Sequence, residues 1–408
     1  MTISQLKPDR FGLTFLSAFG FAQICSWGTL FYAFPQIALA METDLGWDRS
    51  ALYGALTLGL LLSAAAAVPV GIMSDKGHGR IVMSGGSVLA GLFFVLWSQS
   101  HTLTWYYFSF AGIGLLQAAV LYTAAFAVVA RHCDPSKTRH YITVLTLWGG
   151  FASTVFIPLI EAMLSIMDWR QVLLVLAAVN VVLCAGIYWK LPTGDHTEKT
   201  DSGIEPKRTS AWALAQPVFW ALLVYMALHA VIENAFRFHL YPMFIENGIG
   251  SENAVFLLAL LGPAQVVGRI VINFWQTRSI SSIGMFVAAL IPIALLAMLI
   301  APNAVPILMV ATVTYGAAAG ILTIVNGMAV PELLTRSSYG LINGMMQTPM
   351  LVLRAFAPSI AALSYSATGS YSGLLYGLVV SGVLMVLAFG AAVVLSKRTR
   401  RELHAEPF

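Results

Sequence analysis

Long apolar runs separated by short polar segments fill the chain from residue 11 to residue 395. A bilayer core of about 30 Å is crossed by a helix of about 20 mostly apolar residues, and twelve runs are long enough. Their predicted bounds are 11–39, 49–73, 81–98, 103–130, 141–166, 170–190, 214–245, 251–276, 281–300, 304–330, 338–366 and 371–395. The pattern predicts an all-α membrane protein with twelve transmembrane helices.

One polar stretch divides the runs into two groups of six. Its sequence, GDHTEKTDSGIEPKRTS, occupies residues 194–210 and is charged and poor in apolar residues, as flexible linkers are. We expect an N-terminal six-helix bundle over 1–193, a cytoplasmic linker over 194–213, and a C-terminal bundle with a short basic tail over 214–408. The first run is too long and too aromatic for a secretory signal peptide, so we expect it to remain as the first helix.

Composition and charge agree with this class. Of the 408 residues, 58% are hydrophobic and 10% are charged, whereas about 25% are charged in an average soluble domain. With a cytoplasmic N-terminus, seventeen of the 22 Lys and Arg residues fall on the cytoplasmic side, two in the opposite loops and three within helices. This asymmetry predicts that both termini are cytoplasmic. The basic charge therefore reflects topology, and no nucleic-acid partner is expected.

No feature of the sequence predicts catalysis. The cysteines Cys25, Cys133 and Cys184 have neither disulfide-framework nor zinc-site spacing. The chain has no phosphate-binding glycine loop and no metal-ligand cluster. We expect no enzyme activity, no cofactor and no metal, and a monomer whose surroundings are the lipid bilayer.

The loop after the second run carries a superfamily motif. Its sequence GIMSDKGHGR, from Gly71 to Arg80, resembles the G-x-x-x-D-R/K-x-G-R/K-R/K signature of major facilitator transporters, with the second glycine one place late at Gly79. Asp75 suits a helix end facing the bundle interface, while Lys76 and Arg80 suit the cytoplasmic surface. With the six-plus-six layout, the resemblance implies a major facilitator fold, in which two bundles rock around a site near the bilayer midplane.

Four short segments resemble one branch of that superfamily, the monocarboxylate transporters and their bacterial relatives. They are YAFPQ at 32–36, RIVM at 80–83 followed by two glycines, DWR at 168–170, and FLL at 256–258 followed by QVVGR at 265–269. The resemblance implies that Arg269 is the partner of the substrate carboxylate. Gln36 stands where the family has a lysine and Gln265 where it has an aspartate. In the family those residues serve proton coupling and substrate binding, so both departures bear on which anion is carried and how.

Arginines inside membrane helices are functional candidates because each costs at least about 2.5 kcal/mol on insertion scales. Arg269 has Gln265 one turn earlier on the same face, and its guanidinium suits bidentate recognition of a carboxylate or phosphate. The alternative for Arg269 is a structural pair with a neighbouring helix. Arg354 lies between Pro349 and Pro358. It either shares an anionic ligand with Arg269 or is held by the carbonyls that the prolines free.

The seventh run contains an acid and a base four residues apart. Glu233 and Arg237 therefore fall on one helix face, where they neutralise each other. Two roles are open for them. One is a structural salt bridge, and the other is a proton-linked gate in which protonation of Glu233 releases Arg237, assisted by His229 or His239.

Other polar and aromatic positions are candidates for the cavity, although aromatic residues at helical spacing also serve as packing or interfacial anchors. They are Tyr32, Gln36, Tyr122, Asn326 and Gln347. Glu161 and Glu332 are expected at gates or interfaces, with snorkelling to water as the alternative. Glycines such as Gly112, Gly114 and Gly149 are expected to permit close helix packing.

Together these features predict a secondary transporter of a small organic anion, of mono- or dicarboxylate type. It would work by alternating access as a proton symporter in the inner (plasma) membrane. Arg269 would be the primary anion anchor, Arg354 the second, and Glu233 with Arg237 the coupling or gating pair. The alternative is an efflux transporter for a drug, a siderophore or a metalloid conjugate. A non-transporting sensor fits less well, because the tail after Arg401 is short.

Overall fold

The computed structural model describes residues 13–132, 135–192, 210–274, 279–335 and 339–405. Within these ranges twelve helices are long and apolar enough to cross a membrane, which confirms the predicted number. We number the spans in chain order: Phe15–Leu45, Arg49–Met73, Lys76–Ser98, Leu103–Val129, Tyr141–Leu164, Trp169–Tyr188, Pro217–Glu246, Ser251–Val271, Ser281–Ile300, Val305–Leu333, Pro349–Thr368 and Ser372–Lys397. Residues 194–209 of the predicted linker lie outside the described residues.

Both α-helices and short π-helical segments build the described part of the chain. The α-helices before the linker are Leu13–Trp27, Phe34–Leu45, Arg49–Met73, Gly79–Ser98, Leu103–Val120, Tyr122–His132, Pro135–Gly150, Ala152–Leu164, Trp169–Ala178 and Ala185–Tyr188. Those after it are Ser210–Leu214, Pro217–Glu246, Ser251–Ala259, Leu261–Phe274, Ile280–Ile300, Val305–Leu333, Tyr339–Thr368 and Ser372–Ala405. The π-helical segments are Gly28–Tyr32, Ser74–His78 and Val179–Cys184.

The chain forms two compact units. The first unit joins Met1–Ala40 with Leu58–Thr200, and the second joins Met41–Thr57 with Asp201–Phe408. Segment 41–57 therefore groups with the second unit, although its place in the chain is in the N-terminal half. Hydrogen bonds explain the grouping, since the Thr57 hydroxyl donates to the Ala355 carbonyl oxygen at 2.9 Å.

A buried polar cluster joins the first and sixth spans inside the first unit. The Tyr188 hydroxyl lies 2.7 Å from the Ser26 hydroxyl and accepts a hydrogen bond from Gln23 Nε2 at 2.9 Å. Asn180 Nδ2 donates to the Thr29 hydroxyl oxygen at 3.0 Å. Because lipid offers no hydrogen-bond partners, polar groups at membrane depth must find them within the protein.

Glycines allow close approach of helices in the first unit, which confirms the packing role expected for them. A Cβ added at Gly114 would lie 2.1 Å from the Gly59 Cα, so a side chain is excluded there. A Cβ at Gly149 would lie 2.1 Å from the Tyr122 hydroxyl oxygen. Small residues at such contacts are typical of membrane helix packing.

The short connections are fixed by local hydrogen bonds. Asp168 accepts a hydrogen bond from the Gln171 N–H at 2.8 Å and forms a capping box at the start of the sixth span. Asp48 precedes the second span and accepts hydrogen bonds from the hydroxyl and the backbone N–H of Ser50, which hold the pKa of Asp48 below its ordinary value. These carboxylates define where the two helices begin.

Large apolar side chains cover much of the outer surface of the spans. Val182 is 75% exposed and Ile300 is 73% exposed. Soluble proteins rarely expose extended apolar surface, whereas the hydrocarbon core of a bilayer covers it without cost. The exposed faces therefore fit lipid contact.

Candidate substrate site

A cavity of about 310 Å³ lies within the second unit. The seventh, tenth and eleventh spans supply its polar lining, which consists of His229, Glu233, Thr323, Asn326 and Arg354. Met226, Ala230, Met350 and Leu351 supply apolar lining. Four of the predicted site residues, His229, Glu233, Asn326 and Arg354, are therefore brought to one cavity.

The seventh span contributes an acid and its counter-ion. Arg237 Nη2 lies 2.5 Å from Glu233 Oε1, as the four-residue spacing predicts. His229 lies one turn before Glu233, so the three side chains follow one face of the helix Pro217–Glu246. The ion pair is part-buried, with side chains 17% and 24% exposed for Arg237 and Glu233. Whether its role is structural or coupling stays a prediction.

A hydrogen bond connects the seventh and tenth spans across the cavity. Asn326 Nδ2 lies 3.3 Å from His229 Nδ1. An amide nitrogen only donates, so Nδ1 of His229 accepts and the neutral ring carries its proton on Nε2. Asn326 Oδ1 is buried and has no hydrogen-bond partner within the described part of the chain. That oxygen is available to accept a hydrogen bond from a bound ligand.

The charges near the cavity sum to a positive value. Glu233 carries one negative charge, while Arg237 and Arg354 carry two positive charges. Arg354 acts electrostatically on both Glu233 and His229. Charge interactions are stronger at membrane depth than in water because the effective dielectric constant is lower. A small anion with an apolar portion fits both this charge and the mixed lining.

Arg269 lies elsewhere in the second unit, on the eighth span. A Cβ added at Gly268 would lie 2.3 Å from the Ala317 carbonyl oxygen, and one at Gly320 would lie 2.3 Å from that of Gln265. The eighth and tenth spans thus pack backbone to backbone beside Arg269, which is half-buried. Neither Arg269 nor Gln265 is among the described residues that line the cavity.

Gln36 has a carboxylate partner within the first unit. Its Nε2 donates to Glu161 Oε2 at 2.8 Å and to the Ile157 carbonyl oxygen at 3.2 Å. Gln36 is 2% exposed. The position where the resembling family has a lysine therefore holds an amide that bonds an acid of the fifth span.

The two candidate tyrosines of the first unit are engaged in aromatic packing. The Tyr122 ring centroid lies 4.8 Å from that of Trp27 and 4.7 Å from that of Phe126. The Tyr32 ring lies 5.3 Å from that of Phe31. These contacts support the packing alternative for both tyrosines, and their role in binding stays a prediction.

The remaining predicted positions differ in how far they are described. Asp75 lies in the π-helical segment Ser74–His78 and Gln347 in the helix Tyr339–Thr368, but both side chains are outside the described ones. The Arg80 guanidinium lies 4.3 Å over the Trp189 ring, a cation–π contact. Glu332 is half-buried near the end of the tenth span.

Comparison with known proteins identifies the family. Residues 19–298 match the Major Facilitator Superfamily, which is more than half of the chain. The chain belongs to the major facilitator superfamily. It is therefore a secondary transporter and not an enzyme.

This major facilitator transporter is distantly homologous to monocarboxylate transporters, as the short motifs predict. It is 25% identical to monocarboxylate transporter 13 of Rattus norvegicus over 407 residues, covering 93% of this chain and 86% of that protein. It is 23% identical to monocarboxylate transporter 12 of Mus musculus over 360 residues, covering 78% of this chain and 73% of that protein.

Solved structures confirm the major facilitator fold. An inward-facing bacterial homologue of the human lysosomal transporter Spinster matches with a TM-score of 0.70 and 14% identity, covering 96% of this chain and 98% of that chain. The nucleoside transporter NupG matches with a TM-score of 0.70 and 16% identity, covering 93% of this chain and 99% of that chain. At such identities the likeness shows the fold alone.

This transporter has a second polar cluster, which no motif of its sequence predicts. Arg49, one of the two cations that the charge pattern places in the loops opposite the termini, is 5% exposed and contacts Glu42, Glu246 and Tyr371. The seven-residue spacing of Glu42 and Arg49 across a predicted loop is the one local feature of the sequence that points to this cluster. Glu246 and Tyr371 are distant in the sequence, so no local pattern connects them to Arg49.

Proposed function

We propose that this major facilitator transporter carries a small organic anion, of mono- or dicarboxylate type, by alternating access in symport with protons. We place it in the inner (plasma) membrane with both termini cytoplasmic, on the asymmetry of its Lys and Arg residues. The observation that carries the proposal is the cavity that Arg354, Glu233, His229 and Asn326 line. The names of the monocarboxylate transporters to which the chain is homologous support the same substrate class.

In the proposed mechanism, Arg354 binds the carboxylate and Glu233 links binding to protons. A guanidinium holds a carboxylate through two parallel N–H donors, which gives both affinity and orientation. Protonation of Glu233 would remove the counter-charge of Arg237 and leave two positive charges near the cavity. Proton binding and anion binding would then favour each other. We retain Arg269 as a second anchor on the eighth span, as the family resemblance implies.

The direct test is uptake by purified protein in proteoliposomes. We expect accumulation of a short radiolabelled carboxylate, such as lactate or succinate, when a proton gradient is directed inward. Uptake should collapse with a protonophore, because the gradient supplies the free energy. Absence of carboxylate uptake, together with transport of a drug or other amphiphile, would instead favour the efflux alternative. Thermal-shift measurements with carboxylates and phosphates supply an independent binding readout, since a ligand of the native state raises its apparent stability.

A further inference from the structure

A buried chain of hydrogen bonds connects Arg49 to His239 within the second unit. Arg49 Nη1 donates to the Tyr371 hydroxyl oxygen at 2.9 Å, and His239 Nδ1 lies 3.0 Å from that oxygen. His239 Nε2 lies 2.8 Å from the Pro358 carbonyl oxygen. Arg49 is 5% exposed, Tyr371 2% and His239 1%, so each link is formed inside the protein.

The chemistry of the end groups fixes the direction of the two end bonds, and the protonation of His239 sets the direction of the middle one. Arg49 only donates and the Pro358 carbonyl only accepts. The Tyr371 oxygen accepts from Arg49, and with a neutral His239 the Tyr371 hydroxyl donates its proton to Nδ1. His239 then carries its one ring proton on Nε2 and donates it to Pro358. Burial raises the pKa of Tyr371, so its hydroxyl keeps the proton that this arrangement uses. The arrangement in which Tyr371 donates to His239 Nδ1 therefore requires neutral His239.

Arg49 is at the same time the centre of a clamp on segment 41–57. Its Nε lies 2.8 Å from Glu42 Oε2, its Nη1 lies 2.7 Å from Glu246 Oε1, and its guanidinium lies 4.2 Å over the Tyr365 ring. We call Arg49, Glu42, Glu246, Tyr365 and Tyr371 the Arg49 clamp. Segment 41–57 continues at both ends into first-unit residues. The clamp therefore holds segment 41–57 within the second unit, and its release would free that segment.

We propose that His239 is a proton-binding site that controls the Arg49 clamp, with neutral His239 in the clamped state and proton binding favouring release. The proposal rests on the proton coupling proposed above. A protonated imidazole donates from both nitrogens, so Nδ1 no longer accepts the Tyr371 proton. The imidazolium is also a second positive charge, connected to the Arg49 guanidinium through two hydrogen bonds, and the two like charges repel each other. In the released state water can solvate the imidazolium, and by linkage protons favour the state that binds them more tightly.

Two tyrosine side chains, those of Tyr53 and Tyr371, contact His239. The Tyr53 ring stacks on His239 with centroids 4.2 Å apart, and the Tyr53 hydroxyl donates to the Phe238 carbonyl oxygen at 2.8 Å. The titratable and charged groups on the elements around it are Glu42, Asp44, Asp48, Arg49 and Tyr53 of segment 41–57, Tyr225, His229, Glu233, Arg237, Tyr241 and Glu246 of the seventh span, Arg354 and Tyr365 of the eleventh, and Tyr371. Both clamp carboxylates are bonded to Arg49, so the state of His239 reaches the clamp through the Tyr371 hydroxyl and through the charge of Arg49.

The experiment measures clamp release directly by spin-label distances. Labels at Thr43→Cys and Thr368→Cys, both exposed positions of the second unit, are introduced into a chain with Cys25, Cys133 and Cys184 changed to Ser. Double electron–electron resonance is recorded in lipid between about pH 8 and pH 5, the range in which histidine ordinarily titrates. We expect the released-to-clamped ratio to rise on acidification by up to about tenfold per pH unit, the limit for one linked proton.

Three variants separate the His239 proposal from other causes of pH dependence. His239→Gln should abolish the pH dependence, and His101→Gln, a change of an exposed histidine in the first unit, should preserve the pH dependence of the distances. Tyr371→Phe keeps the ring but removes the connecting hydroxyl, so it should weaken the pH dependence even where His239→Gln does not fold. Distances that are independent of pH in the wild type, or pH dependence that persists in His239→Gln, would overturn the proposal.

Uptake by the same preparations keeps the two proposals distinguishable. Gradient-driven carboxylate uptake with pH-independent distances would overturn the role of His239 and leave the proposed function standing. Release that depends on pH and on His239, without carboxylate uptake, would support the proton site and refute the proposed substrate class.

Discussion

Arg49 Nη1 and Glu246 Oε1 lie 2.7 Å apart although 197 positions separate the two residues in the sequence. A buried guanidinium whose carboxylate partners are 27% exposed gains charge-assisted hydrogen bonds worth about 1.5–3 kcal/mol each before screening. We expect Arg49→Gln to lower the apparent Tm in detergent by roughly 2–8 °C. Arg170→Gln, at an arginine stacked 4.1 Å over Trp169, is the control and should leave the Tm nearly unchanged. An equal change in Tm for Arg49→Gln and Arg170→Gln would show that the ion pairs of Arg49 do not stabilise the second unit.

Arg354 is predicted to determine anion affinity. Arg354→Gln removes the cation from the cavity and should weaken carboxylate binding at least about tenfold, because each 1.4 kcal/mol corresponds to a factor of ten. Arg354→Lys keeps the charge but loses the two-pronged donor geometry, so its affinity should lie between those of Gln and Arg. Isothermal titration or thermal shift measures both. Unchanged affinity in the Gln variant would remove Arg354 from the binding site.

Glu233 is predicted to connect transport to protons. Glu233→Gln removes the carboxylate that lies 2.5 Å from Arg237, so the site keeps its additional positive charge at every pH. We expect tighter anion binding and an uptake rate that no longer follows the proton gradient. The pH profile of uptake decides whether the Glu233–Arg237 pair couples transport to protons or is a structural salt bridge. A variant that loses thermal stability but keeps the wild-type profile would identify the pair as structural.

Arg269 is predicted to be required for transport. Arg269→Gln should abolish anion uptake while the protein remains folded in the membrane, as judged by size-exclusion profile and Tm. The matched variant Gln265→Asp restores the family's acid one turn from Arg269, where it competes with the substrate for the guanidinium. Its anion affinity should fall at neutral pH and recover on acidification. Retained transport in Arg269→Gln would contradict the anchor role.

Contact between the eighth and tenth spans is predicted to depend on Gly320. A Cβ there would lie 2.3 Å from the Gln265 carbonyl oxygen, so Gly320→Ala must push the helices apart and lower the Tm. Gly377 is the matched control, because a Cβ at that helical position meets nothing within 4 Å. Gly377→Ala should be neutral or slightly stabilising. A harmless Gly320→Ala would show that this contact is not close in the membrane.

The sequence by itself determined the membrane class, the twelve spans and the family, because each depends on composition, on continuous apolar length or on a short local motif. It also determined the Glu233–Arg237 pair, since residues four apart on a helix are neighbours whatever surrounds them. The observed first span extends to Leu45 rather than residue 39, because its last turns are polar and fall outside the apolar run.

Only the tertiary structure decided which distant residues meet. It brings Arg354 of the eleventh span to the same cavity as Glu233 and Asn326, and it does not bring Arg269 there. It also joins Arg49 to Glu246 and, through Tyr371, to His239. The physical reason is that apolar periodicity reports how each helix meets lipid, whereas the pairing of side chains from different helices depends on helix rotation and packing, which no local pattern records.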